Sequence, residues 1–167
     1  VIHCDTASLS SVNLLKVTLA KRGLSTRFEP FDDYDRAAEL DAVMLIGNPG
    51  LEFLRSPHEH EILDLGQAWR EDTGLPFVFA VWAIRRDQRL PGLGEALLQA
   101  KRDGLTNLDK IIATHPEFDA ELRASYLREH IHLDLGDREK QGIACFVECL
   151  RAVIGETVYE PKYIAGF

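Results

Sequence analysis

Two short apolar runs restrict the fold more than any other feature of the chain: Ala42-Val-Met-Leu-Ile-Gly47 and Phe77-Val-Phe-Ala-Val-Trp-Ala-Ile84. Neither alternates polar with apolar residues. Gly47 closes the first, and Arg85 and Arg86 follow the second at once. A strand without a polar face needs cover on both sides, as in a parallel sheet flanked by helices. Neither run approaches the roughly 20 apolar residues of a membrane-crossing helix. Both are expected as buried strands, the second in the middle of a sheet.

The surrounding segments complete an α/β order. Residues 1–5 read as a short strand. Residues 12–20 carry apolar side chains at 12, 15 and 19, widened by Leu14 and Val17, the spacing of a helix packed on a sheet. Lys21 and Arg22 suit the C-terminal dipole of that helix, and Gly23 accepts a positive φ. Residues 26–30 read as a second strand. Asp64 and Gln67 have capping-box spacing before a helix carrying Leu65, Ala68 and Trp69, which Thr73-Gly74-Leu75-Pro76 stops. From Pro91 onward the pattern turns helical. Leu93, Leu97 and Ala100 form a stripe ended by Gly104, short helices follow over residues 107–114 and 119–129, and Ile131-His-Leu-Asp-Leu135 alternates like a short strand. Asp137 caps a long helix with apolar positions 143, 146, 147, 150 and 154, ended by Gly155.

Composition narrows the function classes. Apolar residues make up 46% and charged residues 28% of the 167, which excludes a disordered chain and allows one ordinary domain or two small ones. The net charge of -8 argues against general nucleic-acid binding, which needs a basic stripe. The acidic stretch from Glu29 to Asp41 reads as a solvated face, since the alternating ligands, central Gly and closing Glu of a calcium loop are absent. Three cysteines without a signal peptide suggest reduced thiols in the cytoplasm. Cys145 and Cys149 share one helix side, but two ligands do not make a structural zinc site. His58 with His60, and His130 with His132, form no recognisable ligand set, and no Walker, GxGxxG or GxSxG motif is present.

Two segments stand out as candidate sites. In Asp5-Thr-Ala-Ser-Leu-Ser-Ser-Val-Asn-Leu-Leu15 a strand ends and a helix begins among the hydroxyls of Thr6, Ser8, Ser10 and Ser11. The first amides of a helix lack intrahelical acceptors and carry partial positive charge, so such a start can receive a carboxylate or phosphate. Simple N-capping by one Ser accounts for the same residues. At the end of the first apolar run, Gly47-Asn48-Pro49-Gly50 lies where open α/β sheets bind ligands. Gly47 admits close backbone approach and Asn48 offers a donor and an acceptor. The same tetrapeptide is also strong turn chemistry.

Four stretches, in order along nearly the whole chain, resemble the chorismate dehydratase family of the futalosine route to menaquinone. They are residues 5–15; Asp41-Ala-Val-Met-Leu-Ile-Gly-Asn48; Asp64-Leu-Gly-Gln-Ala-Trp69 with Thr73-Gly-Leu-Pro-Phe-Val-Phe-Ala-Val-Trp82; and Tyr126-Leu127, Leu135-Gly136, Gly142 and Phe146. Ser10-Ser11 stands where the family has Thr-Ser, Leu9 where it has Arg, and Asn48 where it has Asp. The resemblance implies a type II periplasmic-binding-protein-like fold, two α/β lobes with the ligand in the cleft. It implies loss of water from chorismate to give 3-[(1-carboxyvinyl)oxy]benzoate, with no metal and no organic cofactor. The dicarboxylate suits the hydroxyl-rich helix start. Thr6, Ser8, Ser10, Ser11, Gly47 and Asn48 are the expected substrate-binding residues.

The resemblance further implies that residues 1–76 form the second lobe, and that residues 77–167 hold a crossing strand and helices of the first. The start at Val1, inside a strand, suggests that an N-terminal segment holding the catalytic residues is missing, so that this portion alone would be incomplete and inactive. The expected partners are a small anionic substrate, a chorismate-like dicarboxylate, and a second copy of the chain in a homo-oligomer, with neither nucleic acid nor membrane. A non-catalytic small-carboxylate module of the same fold, or the sister naphthoate synthase, would fit the same residues.

Overall fold

The computed structural model describes residues 1–85 and 91–164. The chain is mixed α/β and mostly helical, and it divides into two compact units. One comprises Val1–Val81 and Gly136–Glu160, the other Trp82–Leu135 and Pro161–Phe167. Arg86 and the last residues of the second unit lie outside the described residues.

The first unit is built on a parallel sheet of β1 (Ile2–Asp5), β2 (Phe28–Phe31) and β3 (Val43–Met44), in the order β2-β1-β3. The register sets Ile2 beside Phe28, Asp5 beside Phe31 and Cys4 beside Met44. Pro30 is tolerated because β2 is an edge strand. Only Val43 and Met44 of the first apolar run pair, so the strand expected over residues 42–47 is cut short. Gly47, at φ 57, turns the backbone directly into a helix instead.

Helix α1 (Leu9–Lys21) carries the core. Its Leu15 packs with Cys4 and Met44 against the sheet, as the apolar spacing requires. Its Leu14 and Val17 meet Trp69 and Leu150 in a second cluster, contributed by α3 (Leu65–Thr73) and α7 (Asp137–Ile154). Trp69, 1% exposed, meets Phe77 and Phe146 edge-on, with centroids 5.7 and 5.9 Å away. The expected cap of α3 forms: Asp64 Oδ1 accepts the Gln67 amide at 2.7 Å, and Gly74, at φ 70, ends the helix. Helix α7 crosses the end of this segment at close range. A Cβ on Gly142 would run into the Pro76 carbonyl oxygen, and Arg138 donates to the Gly74 carbonyl.

In the second unit, α4 (Leu93–Thr106), α5 (Leu108–Thr114) and α6 (Ala120–Ser125) lead into a π-helical turn, Tyr126–His130. Phe118 holds a positive φ of 58 between α5 and α6. The Arg123 guanidinium fastens that bend by donating to the carbonyls of Ile112, Glu117 and Phe118.

Several expectations need correction. Residues 77–85 form no strand. Phe77 is anchored among Trp69 and Phe146, but Phe79, Val81 and Trp82 are exposed, because no described strand lies alongside to pair with them. Residues 131–135 are likewise irregular, with Leu133 and Leu135 in solvent. Gly104 sits inside α4 rather than at its end, and Asp137 is the first residue of α7 rather than its cap, which is Gly136. Gly47-Asn48-Pro49-Gly50 is the first turn of α2 (Gly47–Arg55). A proline is acceptable there, where its missing N–H has no helical partner to lose.

Two of the helical glycines, Gly142 and Gly104, should respond oppositely to substitution. Gly142→Ala forces Cβ onto backbone that cannot yield, and should cost about 1–3 kcal/mol. Gly104→Ala meets nothing within 4 Å and should add up to about 1 kcal/mol of stability. Urea unfolding of both variants measures the two changes.

Candidate functional site

All three strands run parallel, so their carboxyl ends share one edge of the sheet. The chain leaves β1 for β2 on one side and returns to β3 on the other, placing a change of direction between β1 and β3. Such a point is where open α/β sheets leave room for a ligand. Helix α1 begins shortly after β1 ends, and α2 begins soon after β3. The two sequence segments singled out above therefore follow neighbouring strands, far apart in the chain but side by side in the sheet.

The α1 start is built from short-range hydrogen bonds. Asp5, only 1% exposed, accepts the Ala7 amide on Oδ1 at 2.8 Å. Ser8 is the N-cap: its Oγ accepts the Ser11 amide at 3.2 Å and lies 3.0 Å from Ser11 Oγ. The amides of Leu9 and Ser10 are left without intrahelical acceptors. Thr6 is exposed, Ser8 and Ser10 are half-buried, and Ser11 is buried. The four hydroxyls thus divide: Ser8 and Ser11 shape the turn, Thr6 is open to solvent, and Ser10 is half-buried and outside the cap. Leu9 is 75% exposed.

The α2 start has a different construction. Ile46 is its N-cap residue and supplies no side-chain bond to the first turn. Gly47 and Asn48 are exposed. Charge is distributed unevenly along this edge. No charged residue occurs from Thr6 to Leu15 or from Ala42 to Leu51, whereas Asp32, Asp33 and Asp35 follow β2. The β1–β3 side is consequently the one that favours an anion, with helix-end amides as its source of positive potential. The Tyr34 phenol is pushed up by lost hydration first and then by the Asp5 carboxylate.

The other chemistry-bearing side chains serve packing. Cys145 and Cys149 touch, as their spacing requires. Burial first, then Cys149, pushes the Cys145 thiol up and makes it less nucleophilic. Burial likewise raises Cys4. His58 stacks on Phe53 with centroids 4.8 Å apart, and His60 Nε2 donates to the Leu40 carbonyl at 2.6 Å. Among the described residues no group of three or more His, Cys, Asp and Glu could hold a metal, and no helix is long and apolar enough to cross a membrane.

Sequence reasoning missed the helix at Gly47 and the burial of Asp5. Both left signals: Pro49 sits in a first-turn position, and an Asp followed two residues later by a small residue is an Asx-turn pattern.

Comparison with known proteins agrees with these features. Residues 1–152 match the model of the menaquinone biosynthesis family. The chain belongs to that family. It is also 31% identical, over 173 aligned positions covering 89% of the chain, to the chorismate dehydratase of Thermus thermophilus. It spans 62% of that relative's length.

The cap can be tested apart from any ligand. Ser8→Ala should cost about 1 kcal/mol in denaturant unfolding, by freeing the Ser11 amide. Ser10→Ala, which leaves the cap intact, should keep stability within about 0.5 kcal/mol of the parent.

Proposed function

We propose that the protein acts in menaquinone biosynthesis as a chorismate dehydratase, within a two-lobed periplasmic-binding-protein-like fold of which residues 1–76 belong to one lobe. The observation that carries this reading is the pair of uncharged helix starts on adjacent strands, in a chain 31% identical to a chorismate dehydratase. The reduced state of Cys4, Cys145 and Cys149 is in keeping with a cytoplasmic reaction.

The reaction removes the ring hydroxyl and one ring proton of chorismate as water, leaving an aromatic ring. Aromatisation supplies the driving force, so the protein's work is to orient the substrate and assist departure of hydroxide and proton. Thr6, Ser10 and the Leu9 and Ser10 amides hold one carboxylate, while Gly47 and Asn48 at the start of α2 hold a second polar group. Ser8 and Ser11 keep the first cradle in shape. A dianion is accommodated in a protein of net charge -8 because the local groups are neutral donors.

A spectroscopic assay of the intact protein should show loss of chorismate and gain of the aromatic product. Ser10→Ala and Asn48→Ala should each raise KM roughly tenfold, the worth of one hydrogen bond to a charged group, with little change in melting temperature. Unchanged kinetics in both would remove the site. Melting shifts with dicarboxylates but no turnover would make the protein a binding module rather than a dehydratase.

A further inference from the structure

The second unit holds a cavity of about 360 Å³ that the proposed function does not use. Its apolar wall is formed by Leu105 in the last turn of α4, Leu108 at the start of α5, Leu127 in the π-helical turn, and Ile131 and Leu133 beyond it. That turn is closed by the Ile131 amide, which donates to the Tyr126 carbonyl five residues back at 3.1 Å. Single π turns of this kind are frequent where a helix borders a site. Leu108, Leu127 and Ile131 are half-buried, while Leu105 and Leu133 stand 49% and 57% exposed. One exposed Leu needs no explanation, but five aliphatic side chains around one cavity form a wall suited to an apolar ligand. The volume is that of a small-molecule site.

Arg128, His132 and Asp134 complete the lining. The Asp134 carboxylate is paired with Lys101, so its charge is balanced within the unit. Arg128 donates from Nη2 to Asp109, a carboxylate 87% exposed, and a guanidinium has further donors to offer. Among the described residues His132 has no hydrogen-bond partner. The polar groups left for a ligand are therefore donors. We propose that this cavity binds a small amphipathic monocarboxylate, its hydrocarbon body against the five aliphatic side chains and its carboxylate on Arg128 and His132. A guanidinium fork takes both oxygens of a carboxylate, and the competing pair with Asp109 is worth little in water. Such a ligand has one charge and a hydrocarbon body, unlike the dicarboxylate proposed for the sheet edge, so the two sites select different molecules.

The test titrates the intact protein by calorimetry with octanoate and with its uncharged counterpart, octanamide. Octanoate should bind about tenfold more tightly than octanamide, the worth of a hydrogen bond to a charged group. Arg128→Met should weaken octanoate alone about tenfold and so remove the difference. Leu133→Gln, at an exposed position, should weaken both probes at least about fivefold. Ser10→Ala should weaken neither. No octanoate binding by the parent overturns the site, as does unchanged octanoate affinity in Leu133→Gln. Equal loss of both probes in Arg128→Met overturns the place given to the carboxylate. Thermal melting checks the fold of each variant. Should Arg128→Met not fold, the parent's preference decides, and equal affinity for the two probes overturns that place. Octanoate binding lost in Ser10→Ala puts the probe at α1 and overturns the cavity. A parent dimer in ultracentrifugation that Leu133→Gln dissociates makes the cavity a contact between copies, which also overturns it.

Discussion

Helix α1 is enclosed on two sides, and the first unit is organised by that enclosure. Leu15 faces the sheet, while Leu14 and Val17 face Trp69 and Leu150 from two helices distant in sequence. A helix buried on two sides cannot slide along its axis without breaking both sets of contacts, because close-packed side chains tolerate little displacement. Its N-terminus is therefore held at a fixed height above the end of β1. The proposed role of the first turn depends on that height, since the Leu9 and Ser10 amides would serve a ligand only if they reach the sheet edge. Sequence patterning, core packing and site geometry meet in this one element.

Parallel strands add a second constraint. They put all their carboxyl ends on one edge, and the β2-β1-β3 order sets two helix starts on neighbouring strands. The edge is asymmetric in charge, with acidic residues after β2 and none in the turns after β1 and β3. The asymmetry comes from sequence rather than packing.

Local features were the most legible in the sequence. The Asp64–Gln67 cap, the helix of residues 12–20 and the stop at Gly155 follow from interactions within a few residues, and each is found. Reading failed where the outcome depends on what lies alongside. Residues 77–84 have the composition of a central strand, yet a strand exists only if another pairs with it. Residues 131–135 fail for the same reason. At Gly47-Asn48-Pro49-Gly50 the turn residues are also good first-turn helix residues, and only the direction of the following chain decides between them. At the α1 start the hydroxyls were visible as a group, but which of them point inward was not. Ser11 is buried and Thr6 exposed because α1 lies down on the sheet.

The absence of charge from the turns after β1 and β3 also bears on how a ligand would arrive. Helix-end amides act over about one turn of helix, whereas net charge acts out to a Debye length of about 8 Å in physiological salt. At the proposed site a dianion approaching a protein of charge -8 would thus be repelled at a distance and welcomed only on contact. Capture at such a site would not be steered. Encounter would be slowest in dilute buffer and quicken as salt screens the repulsion, and affinity would reside in slow escape rather than fast arrival.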